Sequence, residues 1–218
     1  MAQAKFAVVL SGCGVYDGAE IHEAVLSLLA IDRAGASYQC FAPDIAQMHV
    51  VNHLTGQPST ESRNVLVEAA RIARGAIKPL SELNIADFDA VLLPGGFGAA
   101  KNLCTFAVAG ADCTVEPQTE RVITAAHAAA KPIGALCIAP ALIAKVLGAV
   151  TVTIGSDAGT ADAVRATGAT HVIASHGQTV IDSANKLVTT PCYMLDATIS
   201  QIDDGARAVV AAILKMLE

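Results

Sequence analysis

Short apolar runs alternate with amphipathic stretches along almost the whole chain. Phe6–Leu10 is continuously apolar and closes on Ser11-Gly12, the pattern of a strand buried on both faces. From Ala19 to Arg33 the apolar positions Ile21, Ala24, Val25, Leu28 and Leu29 follow a helical period, and Gly35 stops the run. Tyr38–Ala42, Val91–Leu93 and Pro132–Leu136 predict further short strands, the second ending in Pro94-Gly95-Gly96. Glu116-Pro117 opens a helix running to about Ala130, with Pro117 suited to a first turn. Another helix is expected from about Ile138 to Leu147, followed by a strand over Thr151–Asp157. Thr179–Ile181 and Leu187–Thr189 flank Asp182–Lys186 as a hairpin, and Leu195–Leu217 predicts a long closing helix.

Strands and helices in alternation predict an α/β fold: a mostly parallel sheet sandwiched by helices, with ligands beyond the carboxyl ends of the strands. The 218 residues fit one domain spanning 1–218. Only Pro43–Arg63 breaks the rhythm. It lacks a strong period, is long for a connection, and reads as an insertion at about 43–63 that either caps the cleft or forms a contact between subunits.

Composition narrows the class. With 53% apolar and 16% charged residues the chain is not of the disordered type. Fourteen Lys and Arg against 20 Asp and Glu leave a formal charge of −6, which argues against a nucleic-acid partner. No apolar run approaches the roughly 18–20 residues of a membrane helix, and Met1–Lys5 lead into a run too short for a signal peptide. A soluble, cytoplasmic protein without a membrane partner is therefore expected, with reduced thiols. Cys13, Cys40, Cys104, Cys113, Cys137 and Cys192 contain no C-x-x-C pair, so neither a metal nor any cofactor is expected.

One of those cysteines stands apart by position. In Gly134-Ala135-Leu136-Cys137-Ile138-Ala139-Pro140 a strand ends on Cys137 and a helix starts at once, the setting of a nucleophile elbow. Helix dipole and free N–H groups there favour thiolate over thiol, and the Ile138 N–H is available to a developing oxyanion. Pro94-Gly95-Gly96-Phe97-Gly98 lacks the residues of a phosphate loop and suits close backbone approach, with the Gly96 N–H as a second donor. Glu20 and Glu23 lie one turn apart, so one is expected to exchange a proton with the thiol and the other to face solvent. Gly12-x-Gly14-x-x-x-Gly18 is a weak dinucleotide signal, without the acid that should hold a ribose. His22 and His53 are the histidines that can approach the cleft. Cys13 and Cys192 can line it or simply pack.

These segments, together with Asn52-His53-Leu54-Thr55-Gly56, Gly98-Ala99-Ala100-Lys101-Asn102-Leu103 and Thr189-Thr190-Pro191, closely resemble the ElbB-type proteins over essentially the whole chain. That isoprenoid-biosynthesis, glyoxalase-like group belongs to the PfpI/ThiJ superfamily, with the flavodoxin-like fold of class I glutamine amidotransferases. The resemblance implies Cys137 as nucleophile, Glu23 as its proton-sharing partner, and Gly96 and Ile138 as oxyanion donors. It also implies a homodimer and a weak, glutathione-independent conversion of glyoxal, a small reactive carbonyl, to the 2-hydroxy acid. The alternative is a redox-sensing protein using the same cysteine. Two departures weigh against glutaminase chemistry: Ile138-Ala139 lacks the second glycine of the amidotransferase elbow, and Gly155-Ser156 stands where a triad histidine is expected.

Overall fold

Neighbouring residues of one strand feed opposite cores. In β1 (Lys5–Val9) Ala7 and Val9 join one buried cluster, while Phe6 and Val8, with Leu10 just beyond, join another. The computed structural model describes residues 3–218; Met1 and Ala2, at the head of the segment read for a leader, lie outside the described residues.

After β1 come α1 (Ile21–Arg33), β2 (Ser37–Ala42), a hairpin of β3 (Val51–Asn52) and β4 (Gln57–Pro58), α2 (Val65–Ile72) and β5 (Ile77–Pro79). The middle of the chain supplies β6 (Ala90–Leu93), the short helices α3 (Phe97–Lys101) and α4 (Phe106–Ala109), and α5 (Pro117–Ala128). Then follow β7 (Ile133–Leu136), α6 (Ala139–Leu147), β8 (Thr151–Val152), α7 (Ala158–Ala166) and β9 (Thr170–His171). The hairpin β10 (Val180–Asp182) and β11 (Leu187–Thr190) leads to α8 (Ile199–Leu217).

Seven strands form the main sheet in the order β10-β11-β7-β6-β1-β2-β5. All pairs are parallel except β10 with β11. Helices α1, α2 and α8 cover one face, burying Ala24, Leu28, Val65, Val209 and Ile213. On the other face α5, α6 and α7 bury Val122, Ile123, Leu142, Ile143 and Val164. Burial on both sides explains why the central strands β6 and β7 read as unbroken apolar runs, while β2, β5 and β10 carry polar residues. The carboxyl ends of β1, β6 and β7 open onto the glycine loops and Cys137, as expected for an α/β sheet.

Some elements differ from the sequence reading. Only Thr151–Val152 is strand, and it pairs with β9 in a separate two-stranded sheet. Beyond it the Thr153 N–H donates to Thr189 Oγ1 and the Gly155 N–H to Thr153 Oγ1, so side chains take the bonds a ladder would use. Helix α8 begins at Ile199 rather than Leu195 because Thr198 caps it with Gln201 in a reciprocal capping box. Residues 43–63 carry the β3–β4 hairpin, tied to the first glycine loop through the Val51 N–H to Asp17 Oδ2 (2.7 Å).

Candidate active site

Strand β7 ends at Leu136, Cys137 turns with φ 60°, and Ala139 starts α6 with Pro140 in its first turn. A non-glycine residue held in the left-handed region costs on the order of 1–3 kcal/mol, the strain found at nucleophile elbows. The Cys137 N–H donates to the Thr190 carbonyl at 2.9 Å, which pins the turn to β11.

Glu23, on the first turn of α1, is fully buried against this turn. Its Oε2 accepts from the Gly95 N–H at 2.9 Å and its Oε1 from the Tyr193 N–H at 3.2 Å. The Cys137 side chain lies against the same Gly95 backbone and Glu23 carboxyl, and the Glu23 charge and the Gly96 N–H both act on its thiol. Glycine is required at 95, because a Cβ there would sit 2.4 Å from Cys137 Cβ and 2.8 Å from Glu23 Oε2. Gly96 has φ 89°, and a Cβ would lie 2.3 Å from the Glu20 nitrogen. The Pro94-Gly95-Gly96 turn is thus a close approach of backbone to thiol and carboxyl.

Burial, reinforced by the nearby Glu20 carboxyl, raises Glu23 to about 8 against the opposing hydrogen bonds from Tyr193, Cys137 and Gly95. Burial, and after it the Glu23 charge, also pushes the Cys137 thiol well above its ordinary value, outweighing the Gly96 N–H. This corrects the expectation of a thiolate. The start of α6 favours negative charge, but desolvation of a thiol that is only 6% exposed is the larger effect. The two groups titrate as a pair, and burial pushes both toward their protonated forms.

Glu20 departs from expectation too. Neither glutamate faces solvent: Glu20 is the N-cap of α1, buried, with its carboxylate accepting from the Glu23 N–H at 2.7 Å. It therefore fixes the start of the helix that carries Glu23.

His22 stands one step removed, its Nδ1 2.8 Å from the Tyr193 hydroxyl. His53 belongs to the hairpin: its Nε2 accepts from the Tyr16 N–H, which assigns the proton to Nδ1 facing the Val51 carbonyl. Gly155, at the place of a triad histidine, packs toward Pro191 and Leu195. The first glycine loop is occupied by its own chain, since Asn102 Nδ2 donates to both the Ser11 and Asp17 carbonyls. Sequence reasoning missed Tyr193, whose backbone N–H holds Glu23; the Thr189-Thr190-Pro191 motif just before it was the available signal.

The thiol opens onto a cavity of about 480 Å³. Gly96 and Ile138 line it beside Cys137, with Phe97, Phe106, Val108 and Met194 on its walls. Cys13 and Cys192 do not line it: Cys13 lies by Glu68 and Arg71, and Cys192 packs toward Gly205 of α8. No residue of 43–63 lines it either, so among the described residues the insertion covers the glycine loop rather than this cavity. Among the described residues there is no cluster of three or more His, Cys, Asp or Glu side chains placed to hold a metal ion.

No family model matches the sequence. The human protein named "Glutamine amidotransferase-like class 1 domain-containing protein 3, mitochondrial" is 52% identical over 98% of this chain and 83% of its own length. A rat "ES1 protein homolog, mitochondrial" is 51% identical over 98% of this chain and 84% of its own. The crystal structure of an isoprenoid biosynthesis protein with an amidotransferase-like domain from Ehrlichia chaffeensis superposes with a TM-score of 0.94 at 34% identity, covering 99% of this chain and 100% of that one. Glyoxalase III from Candida albicans shares the fold alone, with a TM-score of 0.61 at 14% identity over 96% of this chain and 97% of its own. The relatives' mitochondrial names overturn the expectation of a cytoplasmic protein. That expectation rested on the lack of a recognisable leader, and a fold carries no mark of its compartment. Among the described residues no helix is long and apolar enough to cross a membrane. With an elbow cysteine on a parallel sheet and half its residues shared along almost its full length with the human and rat relatives, the chain belongs to the ES1 and ElbB-type family of class I glutamine amidotransferase-like proteins.

Proposed function

We propose that the protein is a glyoxalase III-like enzyme, converting glyoxal to glycolate through a hemithioacetal on Cys137. The observation that carries this is the Cys137–Glu23 pair: a thiol on a strained elbow, packed against a buried carboxyl and opening onto a cavity. In the proposed cycle the Cys137 sulfur bonds to one aldehyde carbon, whose oxygen takes a proton. Glu23 relays the thiol proton to that oxygen, gives its own proton to the second carbonyl oxygen, and as carboxylate removes the hydrogen of the first carbon as a proton. It returns that proton to the second carbon and takes back the hydroxyl proton of the first. The first carbon is thereby oxidised to a thioester and the second reduced to an alcohol, so no outside oxidant is needed. Water breaks the carbon–sulfur bond, releasing glycolate and restoring the thiol. The Gly96 and Ile138 N–H groups are assigned to the developing oxyanion.

The redox-sensing alternative uses the same thiol and differs in its outcome: Cys137 oxidised by mild peroxide, with no turnover of glyoxal. The homodimer is part of the same proposal. It is supported by Ile21 (42% exposed) and Val25 (45% exposed), which share one outer face of α1. The test of activity is glycolate formation from glyoxal. We expect Cys137→Ala to lose at least about 100-fold, and Glu23→Gln to lose most of the activity, on the scale of a positioned acid–base group. Unchanged turnover in Cys137→Ala would refute the reading.

A further inference from the structure

The cavity beside Cys137 does not match glyoxal alone. Its volume of about 480 Å³ lies in the range of sites for much larger ligands, whereas glyoxal carries only a hydrogen on each of its two carbonyl carbons. Its walls are Phe97, Phe106, Val108, Ile138, Ala163 and Met194, and no Lys, Arg, His, Asp or Glu lines it. Besides the thiol, Thr160 and Tyr193 supply its polar side chains. A carboxylate or phosphate on the substrate would meet no cation there, and a buried unpaired charge is strongly disfavoured. An apolar group would displace water from an apolar wall.

Building on the thiol–carbonyl reading above, we propose that the site is shaped for 2-oxoaldehydes bearing an uncharged apolar substituent of aryl or branched-alkyl size. The dicarbonyl sits at Cys137, between the Gly96 and Ile138 N–H groups, and the substituent fills the cavity. The chemistry is unchanged. The thiol adds to the aldehyde carbon, the hydrogen of that carbon leaves as a proton, and a proton is delivered to the ketone carbon that carries the substituent. Water then cleaves the thioester, giving the substituted 2-hydroxy acid with oxidation and reduction balanced between the two carbons. Phenylglyoxal would yield mandelate.

The experiment compares kcat/KM for glyoxal, methylglyoxal and phenylglyoxal in the wild type, in Ala163→Phe, which fills the cavity, and in Val108→Lys. Val108 is 65% exposed, so the lysine variant places a cation at the cavity wall without disturbing the core. In parallel, the methyl resonance of Met194 in ¹³C-methyl-methionine protein is followed with acetophenone, an unreactive apolar ketone, and with pyruvate. Expected are a preference of at least about tenfold for phenylglyoxal over glyoxal in the wild type and the loss of that preference in both variants. The Met194 methyl should move with acetophenone and stay still with pyruvate. Cys137-dependent glyoxal turnover without a phenylglyoxal preference would overturn this inference and leave the thiol–carbonyl reading standing. Absence of all dicarbonyl turnover would overturn that reading and, with it, the 2-oxoaldehyde assignment. The Met194 response then shows whether the apolar ligand class survives; an unmoved methyl overturns that as well.

Discussion

At the level of single residues, a buried carboxyl and a buried thiol are both pushed toward their protonated forms, and the proposed chemistry turns on them. The spacing of Gly134 to Pro140 made the elbow legible, because a strand running straight into a helix leaves only one residue to turn. The protonation was not legible. It depends on how deeply α1 sinks Glu23 beneath Gly95 and Tyr193, a tertiary fact with no local signature. Glu23 is raised from 4.5 to about 8, so between those values the folded state holds a proton that the unfolded chain has released. Stability from this group is fully present below about 4.5, falls as pH rises to about 8, and is level beyond. Glu23→Gln stays neutral throughout. Its stability relative to wild type should therefore rise by a few kcal/mol between about pH 5 and pH 8.5, at about 1.4 kcal/mol for each pH unit between the folded and unfolded values. Urea unfolding at both ends of that range measures it; a difference that does not change with pH would rule out a buried, ionising Glu23.

Among the elements, the apolar runs located β1, β6 and β7 to within a residue or two, because strands buried on both faces must be apolar throughout, and the buried half of β2, Cys40–Ala42, located that strand as well. The edges escaped. β5 is a three-residue strand ending in Pro79, and α7 buries only Ala161 and Val164, so neither carries a strong period. The closing helix starts four residues later than its apolar pattern suggests, since Leu195 and Ala197 continue that pattern while Thr198 sets the boundary. That boundary is testable. Thr198→Ala removes the capping box at a residue that does not line the cavity beside Cys137 and should cost about 1 kcal/mol, or roughly 2–4 °C in Tm, with turnover unaffected. A Tm equal to that of wild type would place the helix start elsewhere.

For the molecule as a whole, the fold class followed from alternation alone, whereas the second sheet of β8 and β9 and the route of residues 43–63 needed three dimensions. Compartment was not written in the fold, and the relatives' names corrected it. The unpartnered face at Ile21 and Val25 predicts a particle of twice the 22.2 kDa chain mass in sedimentation equilibrium, reduced to a single chain by Ile21→Asp with Val25→Asp. A wild-type protein sedimenting as one chain would remove the dimer. Everything proposed for the site depends on the covalent use of Cys137, which a rapid-quench single turnover of ¹³C-labelled glyoxal, followed by peptide mass spectrometry, observes without an intermediary. The label should appear on the Cys137 peptide before it appears in glycolate, and then chase into it. Labelled glycolate forming at the wild-type rate with no adduct on Cys137, or forming equally in Cys137→Ala, would exclude a covalent role for the thiol.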